Sequence, residues 1–319
     1  MEFDGFPYMV GWELTLTCDL RCGHCGSTAG NPRDGELSTG EALSICDQFP
    51  ELLVQEVDFT GGEPLVRKDW PIIAERLSSL DIATRMVTNG LRLTPETVAR
   101  MQQVGITGLG VSVDGLRSTH DYMRRREGLY DQVCSGIRAA LDGGLSVTVI
   151  TTISGLNVHQ LPEMFSELFS IGVRRWRLQP IFPLGRLRQF DELRLSEESF
   201  KASGHIVAEL QQRGREKGME IRTGDAFGYY TEGSLREHSL WDLWFAPDAF
   251  AYNRKFQSDD LGDACKGRDM ANQCKGGCCA MSIGAKGRLH NDPFCFHGIA
   301  ARERTTGLGV AVNASMPTP

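Results

Sequence analysis

Short apolar runs alternate with longer amphipathic segments through the first two thirds of the chain. The short runs are rich in β-branched and aromatic residues, and turn residues bound most of them, which is typical of strands. Six strands are predicted, at 10–17, 55–60, 83–88, 107–113, 145–152 and 174–179. Amphipathic periodicity predicts helices near 38–53, 69–80, 94–104, 127–142, 157–171 and 196–217. The first of these helices begins with Ser38 and Glu41 spaced as a capping box.

This alternation predicts parallel βαβ units, because a parallel strand pair needs a long crossover between its strands. The predicted fold class is therefore α/β, a partial (β/α)6 barrel of the TIM type that lacks two of the eight units of a full barrel. In such barrels the functional residues lie in loops after the C-terminal ends of the strands. The unusual motifs of this chain lie there, at residues 18–25, 61–64, 88–90 and 112–114.

The strand and helix pattern stops near residue 217, which predicts a domain boundary after residues 1–217. Residues 218–302 show weak periodicity and contain a second group of cysteines, so we expect a small Cys-rich domain there. Residues 303–319 have no core pattern, which predicts a flexible tail.

Charge and hydropathy restrict the classes of partner. The 319 residues include 34 Lys+Arg and 41 Asp+Glu, giving a net charge of −7, which does not favour nucleic acid or an anionic membrane as a partner. No run of 18 apolar residues predicts a membrane span, and the N-terminus lacks the features of a signal peptide. We therefore expect a cytoplasmic protein, in which thiols stay reduced.

The ten cysteines are too sparse for a disulfide scaffold, and they are clustered. Cys46 and Cys134 lie on predicted helices, where ordinary buried thiols are expected. The remaining eight form two groups, which indicates metal sites. In the first group, Cys18, Cys22 and Cys25 have a spacing that suits an iron–sulfur cluster or zinc. A zinc site needs a fourth ligand, and neighbouring residues such as His24 and Cys25 seldom reach one ion.

This CxxxCxxC motif, followed by GGEP after the second strand, resembles the radical SAM superfamily over residues 9 to about 215. The resemblance implies that Cys18, Cys22 and Cys25 bind a [4Fe–4S] cluster with one open iron, which chelates S-adenosylmethionine. It further implies that this cofactor is cleaved to methionine and a 5′-deoxyadenosyl radical, which removes a hydrogen atom from the substrate. The family prefers an aromatic residue before the third cysteine, where this chain has His24.

The same resemblance implies residues that bind S-adenosylmethionine at the strand ends. They are Gly61, Gly62, Glu63, Pro64, Asn89, Ser112, Asp114, Arg124 and Leu178. In the family, backbone carbonyls of the GGE motif accept hydrogen bonds from the ammonium group, and an arginine aligned with Arg124 pairs with the carboxylate. From the residues alone, GGEP also fits a simple turn, and the three arginines at 124–126 also fit a solvated surface.

The second cysteine group resembles the auxiliary-cluster segment of the SPASM subgroup. Cys265, Cys274, Cys278 and Cys295 match four places of that pattern, and Cys279 is an alternative to Cys278. Arg268 occupies the second cysteine place, and the upstream cysteines of the subgroup are missing from the sequence. The resemblance therefore implies at most one auxiliary [4Fe–4S] cluster. The alternatives are a metal-free remnant or a zinc site made of Cys274, Cys278 and either His290 or His297.

The resemblance implies a radical SAM enzyme, and we expect it to act in the maturation of a ribosomally made peptide. The alternative substrate is a small molecule, altered by a radical dehydrogenase or mutase. A hypothesis of another class is a non-catalytic iron–sulfur electron carrier or peptide-binding protein. The expected partners are a reductant such as flavodoxin or ferredoxin and, because the barrel begins at about residue 9, a separate leader-peptide-binding protein.

Overall fold

The computed structural model describes residues 6–224, 256–262, 266, 274–277, 282 and 288–292. The chain divides into two compact units, Met1–Ala251 and Tyr252–Pro319. Among the helices that the structure describes, none combines the length and the hydropathy that a bilayer span requires.

The first unit contains one parallel sheet of seven strands, which follow one another in chain order from β1 to β7. The strands are β1 Met9–Thr15, β2 Glu56–Gly61, β3 Ala83–Thr88, β4 Ile106–Ser112, β5 Ser146–Ile153, β6 Arg175–Pro180 and β7 Glu220–Thr223. The helices are α1 Thr39–Cys46, α2 Trp70–Ser79, α3 Pro95–Gln103, α4 Arg117–Arg124, α5 Leu129–Asp142, α6 Leu161–Ser170 and α7 Glu197–Lys217.

All helices of this sheet lie on one of its faces. Each successive strand joins the same edge of the growing sheet, and crossovers between parallel strands are right-handed. The crossover helices therefore lie on the same side of the sheet. The hydrophobic core lies between this helical layer and the sheet, where Val57 and Phe59 of β2 are fully buried. Trp12 of β1 packs edge-on against Phe59 and Phe49 in the same layer. Alternate strand residues, such as Asp58, lie on the opposite, concave face.

The structure confirms the predicted α/β class and all six predicted strands. It also confirms the capping box of α1, where Ser38 Oγ accepts a hydrogen bond from the Glu41 backbone N–H at 3.3 Å. The sheet has one strand more than the six that the sequence predicts. β7 has four residues, of which only Ile221 is buried, so its alternation signal is too short to detect in the sequence. The helix α4 was also not predicted.

The boundary predicted at residue 217 lies between α7 and β7, and the sheet therefore extends beyond it. The division into domains remains a prediction. In the second unit, the Gly262 backbone N–H donates to the His290 carbonyl at 2.7 Å, and the His290 ring lies 4.8 Å from the Phe256 ring. Cys274 is exposed. Several residues named for the auxiliary site lie outside the described residues, namely Cys265, Arg268, Cys278, Cys279, Cys295 and His297.

Candidate functional site

The three N-terminal cysteines lie in the loop that follows β1, at the C-terminal edge of the sheet. The two ends of this loop are joined, because the Cys18 backbone N–H donates to the Gly30 carbonyl at 3.1 Å and the Gly30 N–H donates to the Leu16 carbonyl at 2.8 Å. The thiol of Cys22 is buried, whereas those of Cys18 and Cys25 are half-buried. The loop therefore presents three reduced thiols on a closed backbone frame.

Each of two thiols has its own hydrogen-bond donors. The Sγ of Cys18 faces the Leu20 backbone N–H at 3.4 Å and the Asn89 Nδ2 at 3.9 Å. The Sγ of Cys22 lies 4.0 Å from Nη1 of Arg124. Burial raises the pKa of Cys22 to about 11, although the Arg124 guanidinium opposes the rise. The thiols must therefore lose protons when they bind a metal.

The residues present fit a cluster better than a single ion. Within the part of the chain that the structure describes, no three His, Cys, Asp or Glu side chains are close enough together to hold one metal ion. Cys18 and Cys25 nevertheless act electrostatically on Cys22. In an iron–sulfur cluster each thiolate binds a different iron, so its ligands lie further apart than those of one zinc ion.

The GGEP loop after β2 packs directly against the start of the cysteine loop. The backbone N–H of Gly62 donates to the Thr15 carbonyl at 2.7 Å, and that of Glu63 donates to the Thr17 carbonyl at 2.9 Å. A Cβ on Gly62 would lie 2.4 Å from the Thr17 carbonyl oxygen, and one on Gly61, which has φ of +136°, would lie 2.3 Å from that of Thr15. Glycine is required here for contact between two loops, a reason that the sequence did not indicate.

The Glu63 side chain joins the end of β2 to the end of β3. It is fully buried, and its carboxylate accepts hydrogen bonds from Thr88 Oγ1 at 2.9 Å, the Leu65 N–H at 3.1 Å and the Asn89 N–H at 2.7 Å. Burial raises the pKa of Glu63 to about 7, and these hydrogen bonds oppose the rise. Pro64 then begins a short 3-10 turn, Pro64–Val66.

Asn89 links this network to the cysteines. Its side-chain Nδ2 donates to Asp19 Oδ1 at 2.9 Å and points at the Cys18 sulfur. Asp19, between the first two cysteines, also accepts a hydrogen bond from Arg92 at 2.7 Å. The loops after β1, β2 and β3 therefore form one hydrogen-bonded assembly around Cys18.

Asp114 and Arg124 form a buried ion pair beside Cys22. The Oδ2 atom of Asp114 lies 2.7 Å from Nε of Arg124 and 3.2 Å from Nε2 of His24, and its Oδ1 accepts a hydrogen bond from the Thr152 N–H at 2.8 Å. Burial alone would raise the pKa of Asp114, but the Arg124 guanidinium and His24 hold it well below its usual range. Arg124, for which a cofactor carboxylate was the expected partner, is thus already paired with Asp114. Cofactor contacts of these two residues remain predictions.

The other two residues expected to bind the cofactor are placed differently. Ser112 is half-buried at the end of β4. The side chain of Leu178 is fully buried in the hydrophobic core, next to Trp176 on the helix-covered side of β6. Both remain predictions as cofactor residues.

Sequence reasoning missed Arg186, which ties the segment after β6 to the cysteine loop. Its Nε donates to the Cys22 carbonyl at 2.9 Å, its Nη1 donates to the Ala29 carbonyl at 2.8 Å, and its backbone N–H donates to the Cys25 carbonyl at 3.0 Å. Gly185 packs so closely that a Cβ would lie 2.3 Å from the Cys25 carbonyl oxygen. Arg186 belongs to no motif, so only its contacts reveal this position.

Taken together, the fold and the site define an α/β protein with a loop of three cysteines, suited to an iron–sulfur cluster, at the C-terminal edge of a parallel sheet. Residues 12–168 match the family model of the Radical SAM superfamily. The chain belongs to this superfamily, whose members use a [4Fe–4S] cluster and S-adenosylmethionine. The family and cofactors predicted from the motifs are therefore confirmed.

Relatives by sequence include heme synthases and a mycofactocin maturase. The AdoMet-dependent heme synthase of Methanosarcina barkeri is 27% identical over an alignment of 341 positions, which covers 91% of this chain and 97% of the relative. The heme synthase of Nitratidesulfovibrio vulgaris is 29% identical over 249 residues, or 70% of this chain and 68% of the relative. The mycofactocin maturase MftC of Mycobacterium tuberculosis is 32% identical over 181 residues, or 56% of this chain and 46% of the relative.

Solved structures with the same fold include peptide-bound proteins. Streptococcus suis SuiB bound to the precursor peptide SuiA matches with a TM-score of 0.73 and 15% identity, covering 91% of this chain and 76% of that one. The protein anSMEcpe with bound AdoMet matches with a TM-score of 0.72 and 12% identity, covering 93% and 97%. At these identities the likeness is one of fold, and it confirms the prediction of the partial-barrel type.

Proposed function

We propose that this protein is a radical SAM enzyme that reductively cleaves S-adenosylmethionine and uses the resulting 5′-deoxyadenosyl radical to remove a hydrogen atom from its substrate. The observation that carries this proposal is the single hydrogen-bonded assembly of the cysteine loop, the GGEP loop and Asn89. An electron carrier needs the cysteines alone, whereas this assembly adds a second and a third loop beside the thiols.

The residues of the chain have distinct roles in this proposal. Cys18, Cys22 and Cys25 hold the cluster, which supplies the electron for cofactor cleavage. The Leu20 N–H and the Asn89 amide face the Cys18 sulfur, and donors of this kind stabilise negative charge on thiolates and raise a cluster's reduction potential. The closed loop frame holds the three ligands at fixed positions. The proposal also includes one SPASM-type auxiliary cluster at most, a cytoplasmic location, and a reductant such as flavodoxin or ferredoxin.

A porphyrin is the first candidate for the substrate. The supporting observation is the match to the M. barkeri heme synthase, which extends over nearly the whole of both chains. A ribosomally made peptide, which the motifs predict, is the second candidate. It is supported by the similarity to MftC, although that match covers 56% of this chain, and by the fold shared with peptide-bound SuiB.

The test is anaerobic reconstitution, followed by iron and sulfide analysis and incubation with S-adenosylmethionine and dithionite. One cluster gives about four irons per chain and an additional auxiliary cluster gives about eight. We expect wild type to form 5′-deoxyadenosine and the variant with Ala at Cys18, Cys22 and Cys25 to form none. Matched controls are Cys46→Ala and Cys134→Ala, which remove thiols buried in α1 and α5.

Two results would contradict the proposal. One is the absence of 5′-deoxyadenosine from reconstituted wild type, and the other is its continued formation by the triple variant. The substrate classes are separated by adding iron coproporphyrin III, or a precursor peptide encoded beside the gene, and measuring which one accelerates 5′-deoxyadenosine formation.

A further inference from the structure

The concave face of the sheet carries charged residues that cofactor cleavage does not use. On β6, Arg177 lies between Trp176 and Leu178, whose side chains are buried on the helix-covered side. Because successive strand residues point to opposite faces, Arg177 lies on the concave face. Asp58 of β2 lies on the same face, since both of its neighbours in the strand are buried in the core.

The curvature of the sheet brings these two residues towards each other. β2 and β6 are four strand positions apart, which in a flat sheet corresponds to about 19 Å. Burial raises the pKa of Asp58, and the guanidinium groups of Arg85 and Arg177 oppose that rise. The Arg177 guanidinium therefore faces Asp58 across the concave side of the sheet.

Neither side chain is satisfied by hydrogen bonds. The buried Oδ1 of Asp58 has no hydrogen-bond partner, and the nearest nitrogen of Arg85 is 3.8 Å away. Arg177 is half-buried, and no hydrogen bond or ion pair joins it to the residues that the structure describes. A guanidinium group has five N–H donors, and partial burial without an acceptor is unfavourable. Such a side chain is typical of a position that a ligand completes.

The surrounding charge determines the kind of ligand. Arg177 is paired in register with Arg222 of β7, and the Arg222 guanidinium is bound to Glu220. Arg175, on the same face of β6, bonds to a serine hydroxyl and keeps its positive charge. This half of the concave face therefore has an excess of positive charge. The planar fork of Arg177 suits a carboxylate, which it can bind through two parallel hydrogen bonds.

We propose that Arg177 binds a carboxylate of the substrate within the concave face, and that this carboxylate is a propionate of a porphyrin. The position suits a substrate, because Arg177 lies three residues before the end of β6, about 10 Å along the strand from the edge that bears the cysteine loop. This inference rests on the proposed radical SAM function and adds a binding residue to it.

The test compares two porphyrin probes on the anaerobically reconstituted full-length protein. Iron coproporphyrin III has four carboxylates, and its tetramethyl ester has none. Binding is followed by titration of the porphyrin absorption band. We expect wild type to bind the acid more tightly than the ester, and Arg177→Gln to weaken binding of the acid by about tenfold or more, with the ester unaffected. Arg177→Lys should restore part of the affinity.

The matched control is Arg188→Gln, which removes the same charge from an exposed arginine. It should leave both affinities unchanged. The proposal is overturned if wild type does not bind the acid, if Arg177→Gln binds it as wild type does, or if Arg188→Gln loses as much affinity. Formation of 5′-deoxyadenosine without any porphyrin is measured in parallel. Its absence from wild type would reject the proposed function itself. Urea unfolding of Arg177→Gln with the same midpoint as wild type shows that the variant remains folded.

Discussion

Replacement of Arg186 by alanine should loosen the cysteine loop before any cluster is bound. The change removes the hydrogen bonds from Nε to the Cys22 carbonyl and from Nη1 to the Ala29 carbonyl, at 2.9 and 2.8 Å. Both accepting residues are buried, so their carbonyl groups lose partners that water replaces only if the loop opens. The backbone N–H of residue 186 would still donate to the Cys25 carbonyl.

The magnitude follows from the two bonds. A hydrogen bond from a charged donor contributes about 1.5–3 kcal/mol, so two such bonds contribute about 3–6 kcal/mol. Because Arg186 is only half-buried, we expect a combined loss at the lower end of that range, about 3 kcal/mol. Because 1.4 kcal/mol corresponds to a factor of ten, the open state of the loop should become about a hundredfold more populated. Residues outside the loop should be unaffected, since Arg186 makes no other side-chain hydrogen bond among the described residues.

Hydrogen exchange of the metal-free protein measures this change directly. The amides of Cys18, Gly23 and Gly30 are hydrogen-bonded within or from the loop and should exchange about a hundredfold faster in Arg186→Ala. Iron retention after reconstitution should fall in parallel. Arg188→Ala, which removes an exposed arginine of the same short helix, is the control. Unchanged exchange at the three amides would refute the assigned role of Arg186.

Three further predictions concern stability, each measured by urea unfolding of the metal-free protein. Gly62→Ala should destabilise the protein by several kcal/mol, because the new Cβ would lie 2.4 Å from a carbonyl oxygen. The control Gly26→Ala should be tolerated, because the atom nearest to its Cβ would be 3.9 Å away. Equal stabilities of the two variants would contradict the steric argument. Folding raises the pKa of Glu63 from 4.5 to about 7, so the contribution of Glu63 to stability should be greatest below pH 4.5 and fall as the pH rises to about 7. Glu63→Gln should remove about 3 kcal/mol of this pH dependence, and an unchanged profile would exclude it as the source. Asp114→Asn should cost about 3–5 kcal/mol, because it leaves a buried guanidinium unpaired. Asp131→Asn, which breaks an exposed ion pair, is its control and should have no measurable effect.

The sequence determined the parallel α/β class, six of the strands and the places of the three N-terminal cysteines. These properties follow from patterns that are local in the chain. Alternation of apolar residues identifies strands, and motif spacing locates residues that must lie in one loop. The loops after β1 to β4 were correctly expected at one edge of the sheet, because parallel strands bring their C-terminal ends together.

Only the tertiary structure decided which side chains meet. The Arg124 guanidinium pairs with Asp114 and lies beside the sulfur of Cys22, a residue 102 positions away in the chain. Arg186 reaches the carbonyl of Cys22 from 164 positions away. No local pattern encodes such contacts, because they depend on how the loops from different strands pack.

The role of the GGEP glycines shows the same division. The sequence indicates a cofactor-binding motif or a simple turn at Gly61 and Gly62, but it does not show which atoms the two glycines contact. The structure shows that the close neighbours are the Thr15 and Thr17 carbonyl oxygens of the cysteine loop. The concave face shows the same division, since alternation places Arg177 and Asp58 on one face, and only the curvature of the sheet lets the Arg177 charge act on Asp58. Local sequence periodicity specifies the face on which a residue lies, whereas proximity across that face arises from the packing of the whole sheet against its helices.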